Sequence, residues 1–257
     1  MTRSIDLAAD LGESFGAYQM GDDDALLGIV TSANIACGFH AGDPRVMDRT
    51  VRECSRRGVS VGAHPSFPDL VGFGRRMMDL TAEEVYTDIL YQLGALSAFA
   101  EAHGTRVRHL CPHGRLGNLV ITRADYADAM VEAVRSFDPE IVLYTQAGCV
   151  VSAAEAAGLG VAMVGVVDRS YEDDGTLTPR SVSGAVLEDP DEILDRTVRL
   201  VRDGVLVSRH GTELAVEVDT ILVHGDSPGS VSLARRIRAA LEKAGVQVAA
   251  GHQALGR

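Results

Sequence analysis

The chain has 257 residues, of which 46% are hydrophobic and 5% aromatic, a composition that favours an α/β protein with a sizeable core. Acidic residues outnumber Lys and Arg by 36 to 24, giving a net charge of −12, and no basic run points to nucleic-acid binding. No apolar run approaches the roughly 20 residues of a membrane span, and Asp6 comes too early for the apolar segment of a signal peptide. We therefore expect a cytoplasmic protein without nucleic-acid or membrane partners, whose four cysteines stay reduced.

Seven short β-rich segments alternate with amphipathic helices along the chain. They comprise residues 4–10, 28–37, 59–64, 106–113, 140–146, 160–168 and 219–226. This alternation predicts parallel strands, because two neighbouring parallel strands must be joined by a crossover connection, which is usually a helix. We find no linker or repeat, so the prediction is a single α/β domain over residues 1–257 built from seven βα units.

Capping signals predict where four of the helices begin. The starts are marked by Asp43–Pro44, by a Thr81–Glu84 capping box, by Asp189–Pro190 and by Ser227–Pro228. Gly58 and Gly104 are placed to end the first two of these helices. Residues 204–219 instead alternate apolar and polar side chains on both sides of Gly211, which predicts a small β-hairpin inserted before the last strand.

Polar side chains follow six of the seven predicted strands. They are Asp10 and Glu13, then His40 and Asp43, His64 and Asp69, His113 and Asn118, Asp168 and Arg169, and finally His224 and Asp226. The loops that follow parallel strands meet on one face of the fold, and this face houses the chemistry of α/β enzymes. The sequence therefore predicts one shared pocket.

Structural explanations compete with this interpretation at single positions. Asp43 can serve only as a helix cap, and Asp69 can serve only to close a turn beside Pro68. One histidine at a strand end is more often structural, but four at equivalent strand ends favour a functional site. Arg75 follows a Gly-rich loop and is a candidate for binding an anionic group. The remaining histidines are expected to be structural or exposed: His103, His109, His210 and His252.

Long segments of the sequence resemble the signature segments of the LamB/YcsF family. They are IDLAADLGESFG, ANIACGFHAGDP, GAHPSFPDLVGFGRR, PHG, DRSYEDDGTLTPRSVSGAV and VHGDSPGSVSLARRIR, in the family's order. The resemblance implies a seven-stranded parallel (β/α) barrel similar to the glycoside hydrolase/deacetylase superfamily. It also implies ATP-dependent opening of the lactam of 5-oxo-L-proline to L-glutamate, in a complex with 5-oxoprolinase subunits of the B and C type.

The resemblance gives the pocket residues roles. The chain has no GxxxxGK[ST] loop, so the partners would supply the ATP-using step and this chain would bind no assignable cofactor. Asp10 or Glu13 would orient water, and His40 or His113 would pass a proton to the leaving nitrogen. Substrate binding would fall to Asp43, His64, Arg75, Asp168, Arg169, His224 and Asp226.

Four positions depart from the family's usual motifs. Ala8 stands in place of Asn, Cys111 of Lys, Gly117 of Tyr and Val164 of Glu.

Two other function classes stay open beside the one that the resemblance implies. One is a divergent hydrolase for another cyclic amide or an N-acyl substrate, with a divalent metal held by His and Asp from several strand ends. The other is a non-catalytic ligand-binding or scaffold subunit. No HxxxH or HExxH pattern assigns a metal, so a metal site is possible but unassigned.

Overall fold

A computed structural model describes residues 3–226 and 229–251 of the chain. Its strands are β1 (Ser4–Leu11), β2 (Ser32–Ala36), β3 (Ser60–His64), β4 (Val107–Leu110), β5 (Val142–Thr145), β6 (Val161–Val166), β7 (Val205–Val207), β8 (Glu213–Ala215), β9 (Thr220–Val223) and β10 (Gln247–Val248). β1 to β6 pair in parallel in chain order, and β9 pairs with both β6 and β1. These seven strands form a closed barrel, as predicted.

Helices connect the barrel strands on the outside. They are α1 (Asp23–Leu26), α2 (Pro44–Arg57), α3 (Ala82–Ala102), α4 (Gly114–Thr122), α5 (Ala124–Phe137), α6 (Cys149–Ala157), α7 (Pro190–Asp203) and α8 (Ser230–Lys243). The predicted caps of α2, α3 and α7 are present: Asp43 and Asp189 accept backbone N–H bonds, and Thr81 forms its capping box with Glu84. The predicted start at Ser227–Pro228 lies outside the described residues.

Each of the seven predicted segments coincides with one barrel strand. Six strands are shorter than their segments, and β1 extends one residue beyond its segment, to Leu11. The hairpin is also confirmed, because β7 and β8 pair antiparallel from Val205–Ala215 to Val207–Glu213. β10 was not predicted. It adds two residues beside the start of β1 and carries no periodic signal of its own. In the described part of the chain, no helix combines the length and the apolar character needed to span a bilayer.

The barrel interior contains a column of polar side chains. Near the start of β1, Tyr144 donates a 3.0 Å hydrogen bond to the buried carboxylate of Asp6. The Tyr144 ring stacks on the His109 ring at 4.1 Å, and His109 Nε2 lies 2.9 Å from Oδ1 of Asn34. Asn34 Nδ2 then donates to Oδ1 of Asp10 at 2.9 Å. The column thus fixes the orientation of Asp10 at the carboxyl end of the barrel.

Gly62 in β3 makes room for this column. A Cβ atom at residue 62 would lie 2.0 Å from Nε2 of His109, and the His109 ring is fixed by Asn34 and Tyr144. We predict that Gly62→Ala lowers the free energy of unfolding by about 1–3 kcal/mol because it overpacks a core that cannot relax. Urea denaturation of the purified chain measures the effect.

Gly94 provides the matched control, because it lies inside α3 and a Cβ there meets nothing within 4 Å. Gly94→Ala should stabilise the chain by about 0.5–1 kcal/mol, since Ala has the higher helix propensity. Equal effects of the two substitutions would contradict the packing argument.

Candidate active site

The carboxyl ends of the barrel strands open into a cavity of about 1240 Å³. Six of the predicted site residues line it: Asp10, His64, Arg75, His113, Arg169 and His224. Loop residues 173–181 and β8 of the inserted hairpin form its outer wall. A cavity of this kind, with several convergent ionisable groups, is the expected form of an enzyme site.

Four buried side chains form the centre of the site, which we call the histidine cluster: Glu13, His40, His64 and His113. One nitrogen or oxygen atom from each lies within 4.8 Å of the others. Nε2 of His64 is 3.0 Å from Nδ1 of His113, and Oε1 of Glu13 is 3.2 Å from Nε2 of His40. The carboxyl end of β3 contributes His64, and the segments that follow β1, β2 and β4 contribute one residue each, as the strand-end pattern predicts.

Burial controls protonation in this cluster. It lowers the pKa of His40 and of His113 well below the ordinary value, and neighbouring histidines lower both further. Burial together with the charge of Asp10 raises the pKa of Glu13 well above its ordinary value. The surroundings therefore disfavour the charged form of each of these three groups.

Two backbone carbonyls fix the orientation of the rings. Nδ1 of His64 donates to the carbonyl oxygen of Cys111 at 2.6 Å, and Nε2 of His113 donates to that of Phe73 at 2.9 Å. Nε2 of His64 also lies 3.4 Å from Oδ1 of Asp10. The second nitrogen of each ring is therefore free to face the cluster.

The loop over the cluster is the part of the site that sequence reasoning missed. Phe73 has a φ of 54°, an uncommon value for a residue other than glycine. Its ring contacts the His40 and His113 rings edge-on, at 5.4 and 4.9 Å. A Cβ at Gly74 would lie 2.1 Å from Oγ of Ser66, so only glycine allows this close approach. The sequence VGFG indicated a Gly-rich loop before Arg75, but nothing in it predicted the role of Phe73.

His224 and Asp168 form an ion pair at the far side of the cavity. Nδ1 of His224 donates to both carboxylate oxygens of Asp168, at 2.9 and 2.8 Å. Burial alone would lower the pKa of His224, but the Asp168 charge and hydrogen bond raise it above 6.5. Burial alone would likewise raise the pKa of Asp168, and His224 lowers it below 3.8. Only His224 lines the cavity, with Asp168 behind it.

Three arginine side chains line this side of the cavity: Arg75, Arg169 and Arg180. Arg75 pairs with Asp226 at 2.6 Å. Arg169 donates to the carbonyl oxygens of Ala185 and Thr178, so its hydrogen bonds brace the loop after β6. Burial and the charge of Arg180 lower the pKa of Arg169 to about 10. Arg180 lines the cavity as well and was not predicted, because it follows no strand directly.

The structure does not bring two of the acidic candidates to the cavity. Asp43 accepts hydrogen bonds from the backbone N–H groups of Gly16, Arg45 and Val46, which matches its interpretation as a cap. Asp69 binds Arg76 and the Gly72 N–H within its own loop. The roles expected of the other candidates stay predictions.

Three of the four departures from the family motifs line the cavity: Cys111, Gly117 and Val164. At these positions the cavity is lined by a thiol, a glycine and a valine. A Cβ at residue 117 would lie 2.7 Å from the carbonyl oxygen of Pro112, so the usual Tyr would require the backbone here to shift. Burial and the charge of Asp10 raise the pKa of the Cys111 thiol well above 9.0, which keeps it neutral. Ala8 is buried in β1.

Comparisons with known proteins agree with this architecture. The model of the LamB/YcsF family matches residues 5–256. A protein of Methylococcus capsulatus that is named as the A-type subunit of 5-oxoprolinase is 51% identical over 251 residues, covering 97% of this chain and 96% of that protein. One of Pyrococcus furiosus with the same name is 50% identical over 245 residues, covering 95% and 96%.

Solved structures give the same result. The crystal structure of the lactam utilization protein from Thermus thermophilus matches with a TM-score of 0.91 and 45% identity, covering 96% of this chain and 99% of that one. The peptidoglycan deacetylase PdaC of Bacillus subtilis matches with a TM-score of 0.52 at 14% identity, covering 99% of this chain and 91% of that one. This second likeness concerns the fold alone.

The His224–Asp168 pair makes stability depend on pH. A raised histidine pKa stabilises the fold fully below pH 6.5, and this contribution is lost as the pH rises through the raised value. The lowered pKa of Asp168 stabilises the fold above pH 3.8, and that contribution is lost as the pH falls through the lowered value. We predict that Asp168→Asn destabilises the chain more at pH 5.5 than at pH 9, as urea denaturation at both values will show. An equal loss of unfolding free energy at both pH values would contradict a charged pair of His224 and Asp168.

Proposed function

Because the chain belongs to the LamB/YcsF family, we propose that it is an A-type subunit of 5-oxoprolinase that opens the lactam of 5-oxo-L-proline to L-glutamate. The observation that carries this proposal is the match of about 50% identity, over nearly the whole of both chains, to proteins of that name. The cavity supports it, because acid–base groups and cations line one space. ATP dependence and B-type and C-type partners are part of the proposal.

The lactam sets the chemical problem. An unstrained amide reacts slowly with water, and phosphorylation of its oxygen makes the ring carbon more electrophilic. This chain contains no phosphate-binding GxxxxGK[ST] loop, so a partner would transfer the phosphoryl group from ATP. Water then adds to that carbon, the carbon–nitrogen bond breaks and the nitrogen takes up a proton. A second water releases phosphate from the resulting acyl phosphate and leaves L-glutamate.

Asp10 is the best-placed group to hold the attacking water. It lines the cavity, whereas Glu13 lies behind the lining residues, and the amide of Asn34 fixes one carboxylate oxygen. A carboxylate held in this way orients water and accepts its proton. The sequence left Asp10 and Glu13 as equal alternatives, and the position of the two side chains favours Asp10.

His224 is placed to give the proton to the leaving nitrogen. Asp168 holds its Nδ1, so the opposite nitrogen of the ring points away from Asp168 and the ring lines the cavity. By contrast, the nitrogens of His113 face Phe73 and His64, and Nε2 of His40 faces Glu13. The geometry thus favours His224 over the two histidines that the motifs suggest.

The cations of the cavity fit the charges of the substrate. Arg75 and Arg180 reach it from two different loops, and each lies near the carboxylate of Asp226. The ring carboxylate of 5-oxo-L-proline and a phosphoryl group on the lactam oxygen are both anionic, and arginine binds both. Arg169 would act indirectly, because its hydrogen bonds hold the loop on which Arg180 lies.

Reconstitution tests the proposal. The purified chain with B-type and C-type partners, ATP and 5-oxo-L-proline should release L-glutamate, while the chain alone should hydrolyse no ATP because it lacks a nucleotide loop. Enzymatic determination of glutamate and phosphate measures both reactions. Absence of glutamate with active partners present, or ATP hydrolysis by the isolated chain, would contradict the proposal.

Substitution of Asp10 tests the mechanism. In the reconstituted complex, Asp10→Asn should lower kcat by about 10²-fold or more with little change in KM, because the amide keeps the size of the side chain but accepts no proton. Asp189→Asn makes the same chemical change at the cap of α7, which Asn fills equally well, and should leave kcat unchanged. Similar kinetics for both variants would remove Asp10 from the reaction.

A further inference from the structure

The tautomers of His64 and His113 leave two lone pairs facing each other. A carbonyl oxygen accepts but never donates, so the bonds to Cys111 and Phe73 place the ring hydrogens on Nδ1 of His64 and Nε2 of His113. In the neutral rings, Nε2 of His64 and Nδ1 of His113 therefore carry no hydrogen. They lie only 3.0 Å apart and are buried. Two facing lone pairs repel each other unless a cation lies beside them.

Glu13 adds a carboxyl oxygen at the same place, and binding of a cation would displace its proton. Its Oε1 lies 3.6 Å from Nδ1 of His113, and the residue as a whole is only 5% exposed. Metal–nitrogen and metal–oxygen bonds of about 2.0–2.2 Å place tetrahedral ligand atoms about 3.3–3.5 Å apart. The separations of 3.0 and 3.6 Å are close to this value.

From these contacts we infer that Glu13, His64 and His113 form a binding site for a divalent cation of the Zn²⁺ class. Two imidazoles and one carboxylate are a ligand set of catalytic zinc sites, which leave a fourth position open. The open position would face the cavity, since His64 and His113 both line it. Bound there, the cation would supply Lewis-acid chemistry next to Asp10.

The surroundings of the three residues match those of known metal ligands. Ligating histidines almost always donate their other N–H to a carbonyl or carboxylate, and His64 and His113 both donate to backbone carbonyls. His40 is the positioning residue. Its ring lies parallel to that of His113 at 3.9 Å, so its Nε2 cannot aim at the same point, and it contacts Oε1 of Glu13 instead.

The inference goes beyond the proposed function, because it concerns cation binding without substrate or partners. The test uses the full-length chain after treatment with a chelator. Titration with Zn²⁺ in a calorimeter should give one site per chain and raise the unfolding temperature. Titration with Co²⁺ should give the intense visible absorption of a four-coordinate ion. Zn²⁺ affinity should fall as the pH is lowered, since protons compete for the ligands.

Two variants locate the site. His113→Gln should weaken Zn²⁺ binding at least about 100-fold, because loss of outer partners alone costs about 10–100-fold. Glu13→Gln keeps the shape and the contact to His40 and should weaken binding at least about tenfold. His210→Gln removes an exposed histidine on the hairpin, 58% exposed, and should change nothing. Far-ultraviolet circular dichroism confirms that each variant is folded.

Three results would overturn the inference. They are an unmodified chain that binds neither Zn²⁺ nor Co²⁺ stoichiometrically, equal affinity in all three variants, and loss of binding in His210→Gln alone. The first result would mean that a shared proton separates the two imidazoles. None of these results bears on lactam hydrolysis, which is measured in a separate assay, so the two proposals can fail independently.

Discussion

The site depends on one structural constraint, the parallel pairing of β9 with β1. This pairing joins the last barrel strand to the first, from Asp6–Thr220 to Ala9–Val223. Without it the strands would form an open sheet, with the loops after β1 and β6 far apart along it. Closure brings Asp10 to the same cavity as His113 and His224, although more than 200 residues separate Asp10 from His224.

Desolvation is the second constraint on the site. The histidine cluster is almost completely buried, so Glu13, His40 and His113 resist ionisation. Backbone carbonyls fix the orientation of His64 and His113. Phe73 supplies one of those carbonyls from a strained conformation, which the packing of Gly74 against Ser66 maintains. His224 differs, because Asp168 compensates its burial and raises the pKa of the ring. One cavity thus contains histidines of opposite protonation preference, a property useful for acid–base chemistry.

Three of the four departures from the family motifs lie at the cavity, in a chain that keeps the family's fold. Cys111, Gly117 and Val164 line the cavity, while the backbone around them follows the fold of the lactam utilization protein at a TM-score of 0.91. The carbonyl group of Cys111 holds His64 whatever side chain the residue carries. The orientation of His64 can therefore persist while the side chain at residue 111 varies, because it depends on a backbone atom.

The sequence by itself determined the order of strands and helices, the caps of α2, α3 and α7, and the collection of polar side chains at strand ends. Those features follow from local periodicity and from the geometry of parallel strands. The tertiary structure alone decided which of the side chains meet. Asp43 and Asp69 bind backbone and loop groups, although their strand-end positions match those of His40 and His64. Arg180 and Phe73 reach the site from long loops whose path no local pattern records. The protonation preferences of the site histidines could not be predicted from the sequence either. They depend on burial and on contacts such as that of His224 with Asp168, which lie 56 residues apart.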